Sequence, residues 1–220
     1  MASEPKSFFL SAELHRYLLE HGTPPDAIQR ELIEETAGLG GIAMMQIAPE
    51  QGAFMTMLTQ LTGTRRAIEI GTFTGYSALA IARGLPADGR LLCCDVSEEW
   101  TTIARKYWEK AGVADRVELR LGPALDTLAA LPDEPTFDLA FIDADKGNYP
   151  GYYEGVLARM VPNGVILIDN VLRGGAVIDQ HANDDDTNAM RAFNKLVAGD
   201  DRVDTVMLPI ADGLTFARKR

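Results

Sequence analysis

From Gly63 onward, short and almost continuously apolar runs alternate with stretches whose apolar residues recur at helical spacing. RAIEIG (66–71) is followed by a helical pattern from Tyr76, RLLCCDV (90–96) by one from Ser97, VELRLG (117–122) by a short one, and FDLAFIDA (137–144) by one from Tyr149. VILIDN (165–170), a loop, a helical pattern near 187–197 and two further runs, VDTVMLPI (203–210) and GLTFARK (213–219), complete the series. Strands without a polar face that alternate with helices build a parallel sheet covered on both sides. The last two runs, joined through Ala211, Asp212 and Gly213, can pair only as an antiparallel hairpin. The prediction is an α/β, doubly wound, mostly parallel seven-stranded sheet with helices on both faces and an antiparallel final strand.

Ahead of the sheet, residues 7–21 and 26–37 carry helix-spaced apolar positions, separated by Pro24 and Pro25, with Asp26 placed to cap the second helix. A third helix begins at Pro49, with Phe54, Met55, Leu58 and Leu61 on one face. The expected organisation is one domain over residues 1–220, with N-terminal helices in 1–62 and an α/β core in 63–220.

Charge narrows the partners. With 21 basic against 32 acidic residues the chain carries a formal −11, which repels phosphate backbones and anionic lipid, so neither nucleic acid nor membrane is an expected partner. The only cysteines, Cys93 and Cys94, are neighbours within an apolar strand and read as buried thiols of a reducing compartment. MASEPKSFFL lacks the basic head and apolar stretch of a secretory signal, and no run has the length of a membrane span, so a cytoplasmic protein is expected.

Parallel sheets bind ligands beyond the carboxyl ends of their strands, and there the chemistry collects. The first such end reads Glu69-Ile70-Gly71-Thr72-Phe73-Thr74-Gly75-Tyr76-Ser77. A dinucleotide fingerprint would need glycine at 73 and a small residue at 76, where this chain has Phe and Tyr, which disfavours nicotinamide and flavin dinucleotides. Two glycines four apart still make a turn against which a ligand can lie, and Glu69 adds negative charge beneath it, which suits a cationic cofactor. Asp95 ends the second strand 24 residues past Gly71, where a carboxylate can accept both hydroxyls of a ribose.

EIGTFTGYS, the Asp of CCDVS, GPA at 122–124, FIDADKGNY and LIDN resemble, in order and spacing, the class I S-adenosylmethionine-dependent O-methyltransferases, in particular the cation-dependent branch with caffeoyl-CoA and bacterial catechol-type enzymes. The resemblance spans roughly residues 45–194. It implies cofactor contacts at Met45, Ile47, Glu69, Gly71, Ser77 and Asp95, with Ala124 facing the adenine and Asp145 near the amino-acid end. It also implies a homodimer that uses the N-terminal helices. The chemistry agrees, because Glu69, Asp95 and Asp145 offset the sulfonium and ammonium charges of S-adenosylmethionine.

FIDADKGNY and LIDN then make sense together. Asp143, Asp169 and Asn170 offer three oxygen ligands with no sulfur or imidazole, the donor set of a hard cation: magnesium first, calcium or manganese as alternatives. Asp143 also borders the cofactor. A catechol would chelate the ion through adjacent oxygens, which favours the phenolate, and Lys146 would act as general base or phenolate contact. His15, His21 and His181 show no metal spacing, and Asp184-Asp185-Asp186 reads as the capped start of a helix.

Where plant caffeoyl-CoA enzymes have a Trp-Asn pair after the Asp-Asn motif, this chain has Arg173 and Gly174, which casts doubt on a CoA-thioester acceptor. Ile47 replaces a threonine of the plant pattern. The expected activity is metal-dependent methyl transfer to a hydroxyl of a catechol-like small molecule. The alternatives are a methyltransferase of a non-catechol acceptor and a non-catalytic S-adenosylmethionine-binding sensor or scaffold, the latter predicting a degraded metal site.

Overall fold

A computed structural model describes residues 10–220 of the chain. Two short helices come first, α1 (Ala12–Glu20) and α2 (Ala27–Ala37), then a 3-10 turn over Gly40–Met45 and α3 (Pro49–Leu61). Asp26 caps α2 as the sequence predicts, in a full capping box with Gln29, worth about 1 kcal/mol. The predicted start of the first helix, residues 7–9, lies outside the described residues, and within them Ser11 caps α1.

The α3 prediction needs correction. Met55 is buried and Phe54 and Leu58 pack partly buried against the core as predicted, but Leu61 is 78% exposed, and Gln51, Gly52 and Thr59 are the other buried positions. The cause is a close approach to the next helix, α4 (Tyr76–Gly84). A Cβ on Gly52 would lie 2.6 Å from the Tyr76 ring, and one on Gly84 2.5 Å from Thr59. Thr56 spans the gap with a hydrogen bond to the Ala80 carbonyl. Small residues win this seam because the backbones nearly touch.

The remaining elements alternate as predicted. They are β1 (Arg66–Ile70), β2 (Arg90–Asp95), α5 (Glu98–Lys110), β3 (Val117–Leu121), α6 (Ala124–Ala130), β4 (Phe137–Ile142), α7 (Tyr149–Arg159), β5 (Met160–Ile168), α8 (Asp185–Ala198), β6 (Val203–Leu208) and β7 (Leu214–Lys219). β5 starts earlier than VILIDN suggested, and its pairing with β4 carries an irregularity between Phe137 and Leu139. The single sheet has the order β3-β2-β1-β4-β5-β7-β6. β7 is antiparallel to both neighbours, so among the described residues it is the one reversed strand.

Successive strand residues face opposite sides, and the two apolar layers follow from that period of two. Ile68, Ile70, Cys94, Ala140 and Ile142 pack with α6, α7 and α8. Ala67, Cys93, Leu139 and Phe141 pack with α4 and α5, and Leu32, Ile47 and Met55 from the N-terminal segment join the same layer. Cys93 and Cys94 are both free and buried, and they point to opposite layers. Sheet order reverses between β1 and β4, which places a crevice at their carboxyl ends.

Candidate active site

β1 ends at Ile70, and Gly71 turns the chain with φ +91. A Cβ there would stand 2.0 Å from the Asp143 carbonyl, so only glycine lets the β1 and β4 ends lie side by side. Gly75, at φ +84, starts α4 against Ala104 and Trp108, with 2.5 Å between a notional Cβ and the Ala104 methyl. Asp95 ties the loop to β2: one oxygen accepts from Thr72 N and Phe73 N, both at 2.8 Å, and the other from Ser97 N at 2.8 Å. The loop is therefore fixed by backbone and a single carboxylate.

Above it opens a cleft of about 1200 Å³. Its wall brings together Met45, Ile47, Gly71, Ser77, Asp95, Ala124, Asp143, Asp145, Lys146, Asp169 and Asn170. Glu69 is the exception among the predicted residues. It is fully buried behind the wall, on the α4 side, with neither carboxylate oxygen in a hydrogen bond. Burial pushes its pKa up to about 8, with partial relief from the nearby Ser77 and Thr72 hydroxyls. Burial thus favours the neutral form of the carboxyl that lies beneath the glycine turn.

The far end of the cleft is polar and crowded. Lys146 Nζ donates to Asp143 Oδ1 at 2.9 Å, to Asn170 Oδ1 at 2.6 Å and to the Tyr149 hydroxyl at 2.7 Å. Asp169 is buried, and its carboxylate accepts from Asn170 N at 2.8 Å. Burial, then the neighbouring Asp143 carboxylate, raises Asp169 to about 7. Burial also raises Asp143, with Lys146 opposing. The two ends of β4 and β5 thus hold more carboxylate than one ammonium neutralises. Asp145 faces the other way, clasped by Tyr152 OH at 2.5 Å and Asn148 Nδ2 at 2.6 Å.

Sequence reading missed several wall residues. Phe73, held at φ +50, and Trp100 meet edge to face at 5.2 Å and give the cleft an aromatic side near Asp95. Phe73 was legible only as a departure from a dinucleotide pattern. Behind the wall, the buried Tyr149 anchors Lys146 and reaches toward the Asp169 carbonyl at 3.3 Å; it lies inside the FIDADKGNY motif but carried no pattern of its own. Gln51 and Asp212 also line the cleft, as do Arg173 and Asp186, which the sequence marks as a departure from the plant pattern and as part of a capped helix start. The acidic run behaves as predicted: Asp184 caps α8 through Thr187 N at 2.9 Å. His15 lies 2.9 Å from Glu50, and His21 stacks on Tyr17.

A sheet of this order, with a glycine turn after β1 and an acid after β2, defines a class I S-adenosylmethionine-dependent methyltransferase. The chain belongs to the O-methyltransferase family, whose profile matches residues 20–220. It is 42% identical over 207 residues to a probable caffeoyl-CoA O-methyltransferase 1 of Dictyostelium discoideum, covering 92% of this chain and 90% of that protein. Caffeoyl-CoA O-methyltransferase 1 of Zea mays is 37% identical over 231 residues, covering 97% and 87%. An O-methyltransferase from Bacillus cereus, solved in complex with SAH, superposes with a TM-score of 0.85 at 38% identity, covering 94% of this chain and 97% of that one.

Proposed function

We propose that this O-methyltransferase moves the methyl group of S-adenosylmethionine to a hydroxyl of a catechol-like small molecule in a divalent-cation-dependent reaction. The observation that carries the reading is the meeting of Asp143, Asp169 and Asn170 at one sheet edge, with the Lys146 ammonium already bridging two of them. An ammonium lodged between Asp143 and Asn170, beside the buried Asp169, supports the reading of a site that attracts positive charge. The oxygen-only donor set fits magnesium, with calcium or manganese as alternatives. Asp143, Asp169 and Asn170 would hold the ion, which when bound lowers the pKa of a coordinated phenol from near 10 toward neutrality.

The chain's own groups do the rest. The Gly71 turn and Asp95 hold the donor, with Met45, Ile47, Ser77 and Ala124 around it and Asp145 toward its ammonium end. Lys146 Nζ takes the acceptor's proton or holds the resulting phenolate. As the new O–C bond forms, the methyl C–S bond breaks, leaving S-adenosylhomocysteine and one released proton. Alignment of oxygen with methyl supplies most of the acceleration.

A compact acceptor suits this cleft better than a CoA thioester. The two cations on its described wall both face carboxylates, Lys146 at Asp143 and Arg173 at Asp184 and Asp186, 3.8 and 3.5 Å away. The same reading has the enzyme act in the cytoplasm as a homodimer through its N-terminal helices. Among the described residues no helix is long and apolar enough to cross a membrane. Exposed Tyr17 and Leu18 on α1 support the interface, which light scattering tests.

Labelled methyl transfer to a panel of catechols, phenols and thioesters, with magnesium and then with a chelator, tests the activity. Turnover on a catechol that disappears with chelation is expected, and full turnover after chelation overturns the metal's role. Asp169→Ala and Lys146→Ala are expected to lose about 10²–10⁴-fold in kcat while still binding S-adenosylhomocysteine. Loss of that binding would move both residues to the donor site.

A further inference from the structure

Leaving a buried polar group without a partner costs about 1–3 kcal/mol, so a fold that keeps one in a cleft wall keeps it for something that arrives later. Gln51 is such a residue. Its side chain is fully buried, lines the cleft, and has neither Oε1 nor Nε2 in a hydrogen bond. It sits in the first turns of α3, one position before Gly52, which is pressed against Tyr76. One residue is about 100° around a helix, so Gln51 leaves the α3–α4 seam and turns to the cleft instead.

Its neighbour there is Asp169. The carboxamide lies beside that carboxylate without closing a hydrogen bond, and it partly offsets what burial and Asp143 impose. The other orphaned groups on the wall are Thr72 Oγ1 in the glycine turn, Gln46 Oε1 on the lip before α3 and the Tyr76 hydroxyl at the start of α4, whose ring is pressed against Gly52. A carboxamide is neutral, with one acceptor oxygen and two N–H donors. Between crowded carboxylates and an incoming ligand it can donate to the first and accept from a hydroxyl of the second, which a lysine or a carboxylate in its place cannot do.

We infer that Gln51 is an acceptor-binding residue, its Nε2 donating to Asp169 and its Oε1 accepting from a hydroxyl of the bound acceptor. This rests on the proposed entry of a hydroxyl-bearing acceptor beside Asp169. Gln51 thereby fixes which hydroxyl is turned toward the donor methyl and which is held away.

The test is Gln51→Met, of similar volume but apolar, with Gln51→Ala as a second variant should Met pack badly. For Gln51→Met the ligand-free protein is expected to melt within about 2 °C of wild type, because removal of an unpaired polar group is countered by loss of the donor beside Asp169. The acceptor KM is expected to rise about tenfold in both variants, one hydrogen bond's worth, with the calorimetric Kd for S-adenosylhomocysteine within about twofold of wild type. An unchanged acceptor KM, a donor Kd weakened in parallel, or a Met variant that melts several degrees lower while Ala leaves KM unaltered would each overturn the assignment. Failure of the catechol reading shows separately, as absent turnover by the wild-type enzyme, whereas melting temperature and donor affinity are read without turnover.

Discussion

The two halves of the cleft are built from different materials. Around the glycine turn the wall is backbone: Gly71 against the Asp143 carbonyl, Gly75 against Ala104, and one carboxylate, Asp95, gathering three amides. Across from it, the stretch after Asn170 is held by side chains. Arg191 of α8 donates to the carbonyls of Val177 at 3.0 Å, Ala182 at 2.7 Å, Ala176 at 2.8 Å and Asp179, and to Asn188 Oδ1 at 3.0 Å. Asn194 takes the Val171 carbonyl at 2.8 Å, and Asp212 accepts from Gly174 N. A backbone wall tolerates almost no substitution, whereas a pinned wall can change its lining while its pins stay. The first half suits a ligand common to a whole family, the second a ligand that differs among members.

The largest break in this contrast should come from Gly71→Ala. Its methyl meets main chain that cannot step aside, and φ is unfavourable for alanine, so a stability loss of about 3–5 kcal/mol by urea denaturation is expected, together with loss of S-adenosylhomocysteine binding. A variant that folds and binds normally would mean that the two strand ends separate easily.

Arg191→Lys tests the pinned half. Lysine keeps the charge but not the planar fork, so the acceptor KM should rise about tenfold with donor affinity unchanged. Arg159 provides the control, because its guanidinium binds three carbonyls, of Pro132, Gly155 and Leu131, away from the cleft. Arg159→Lys should lower the melting temperature and leave the acceptor KM alone. Equal KM effects in the two variants would remove the distinction between pin and scaffold.

The smallest effect concerns Glu69, behind the backbone wall. Its pKa is raised from 4.5 to about 8, so the folded chain binds more protons than the unfolded chain between those values, and stability falls as pH rises through that window. Glu69→Gln should flatten the decline in melting temperature across pH 5–8 and leave the smaller part due to Asp169, raised from 3.8 to about 7. An unaltered slope would mean that Glu69 is not the buried acid that titrates.

How much could be read beforehand divides along the same line. Glycine spacing and strand-end acids are local patterns, so Gly71, Asp95, Asp143, Asp169 and Asn170 could be placed in a string of letters, and the structure brings them to one cleft. The caps at Asp26 and Asp184 were legible for the same reason. Contacts between segments distant in sequence were not. Nothing near Arg191 announces the carbonyls it will meet, and Gln51 looks like any helix residue until α4 closes on its neighbour Gly52. The apolar stripe of α3 held at Phe54, Met55 and Leu58 and failed at Leu61, because backbone proximity at Gly52 and Gly84 brings Thr56 and Thr59 into the seam with α4. Glu69 stands apart because alternation along β1 turns it toward the α4 layer behind the cleft wall, where burial favours its neutral form.

The reversed last strand has its own consequence. Because β7 runs against its neighbours, the bend before it falls at the catalytic rim, and this bend carries Asp212 to the cleft and braces Leu172 against Gly213. A parallel strand would have arrived through a long crossover from the opposite edge. A hairpin tip can gain or lose a few residues at little entropic cost and with strand pairing undisturbed, so the C-terminal segment gives the enzyme an adjustable lip whose length is independent of its foundations.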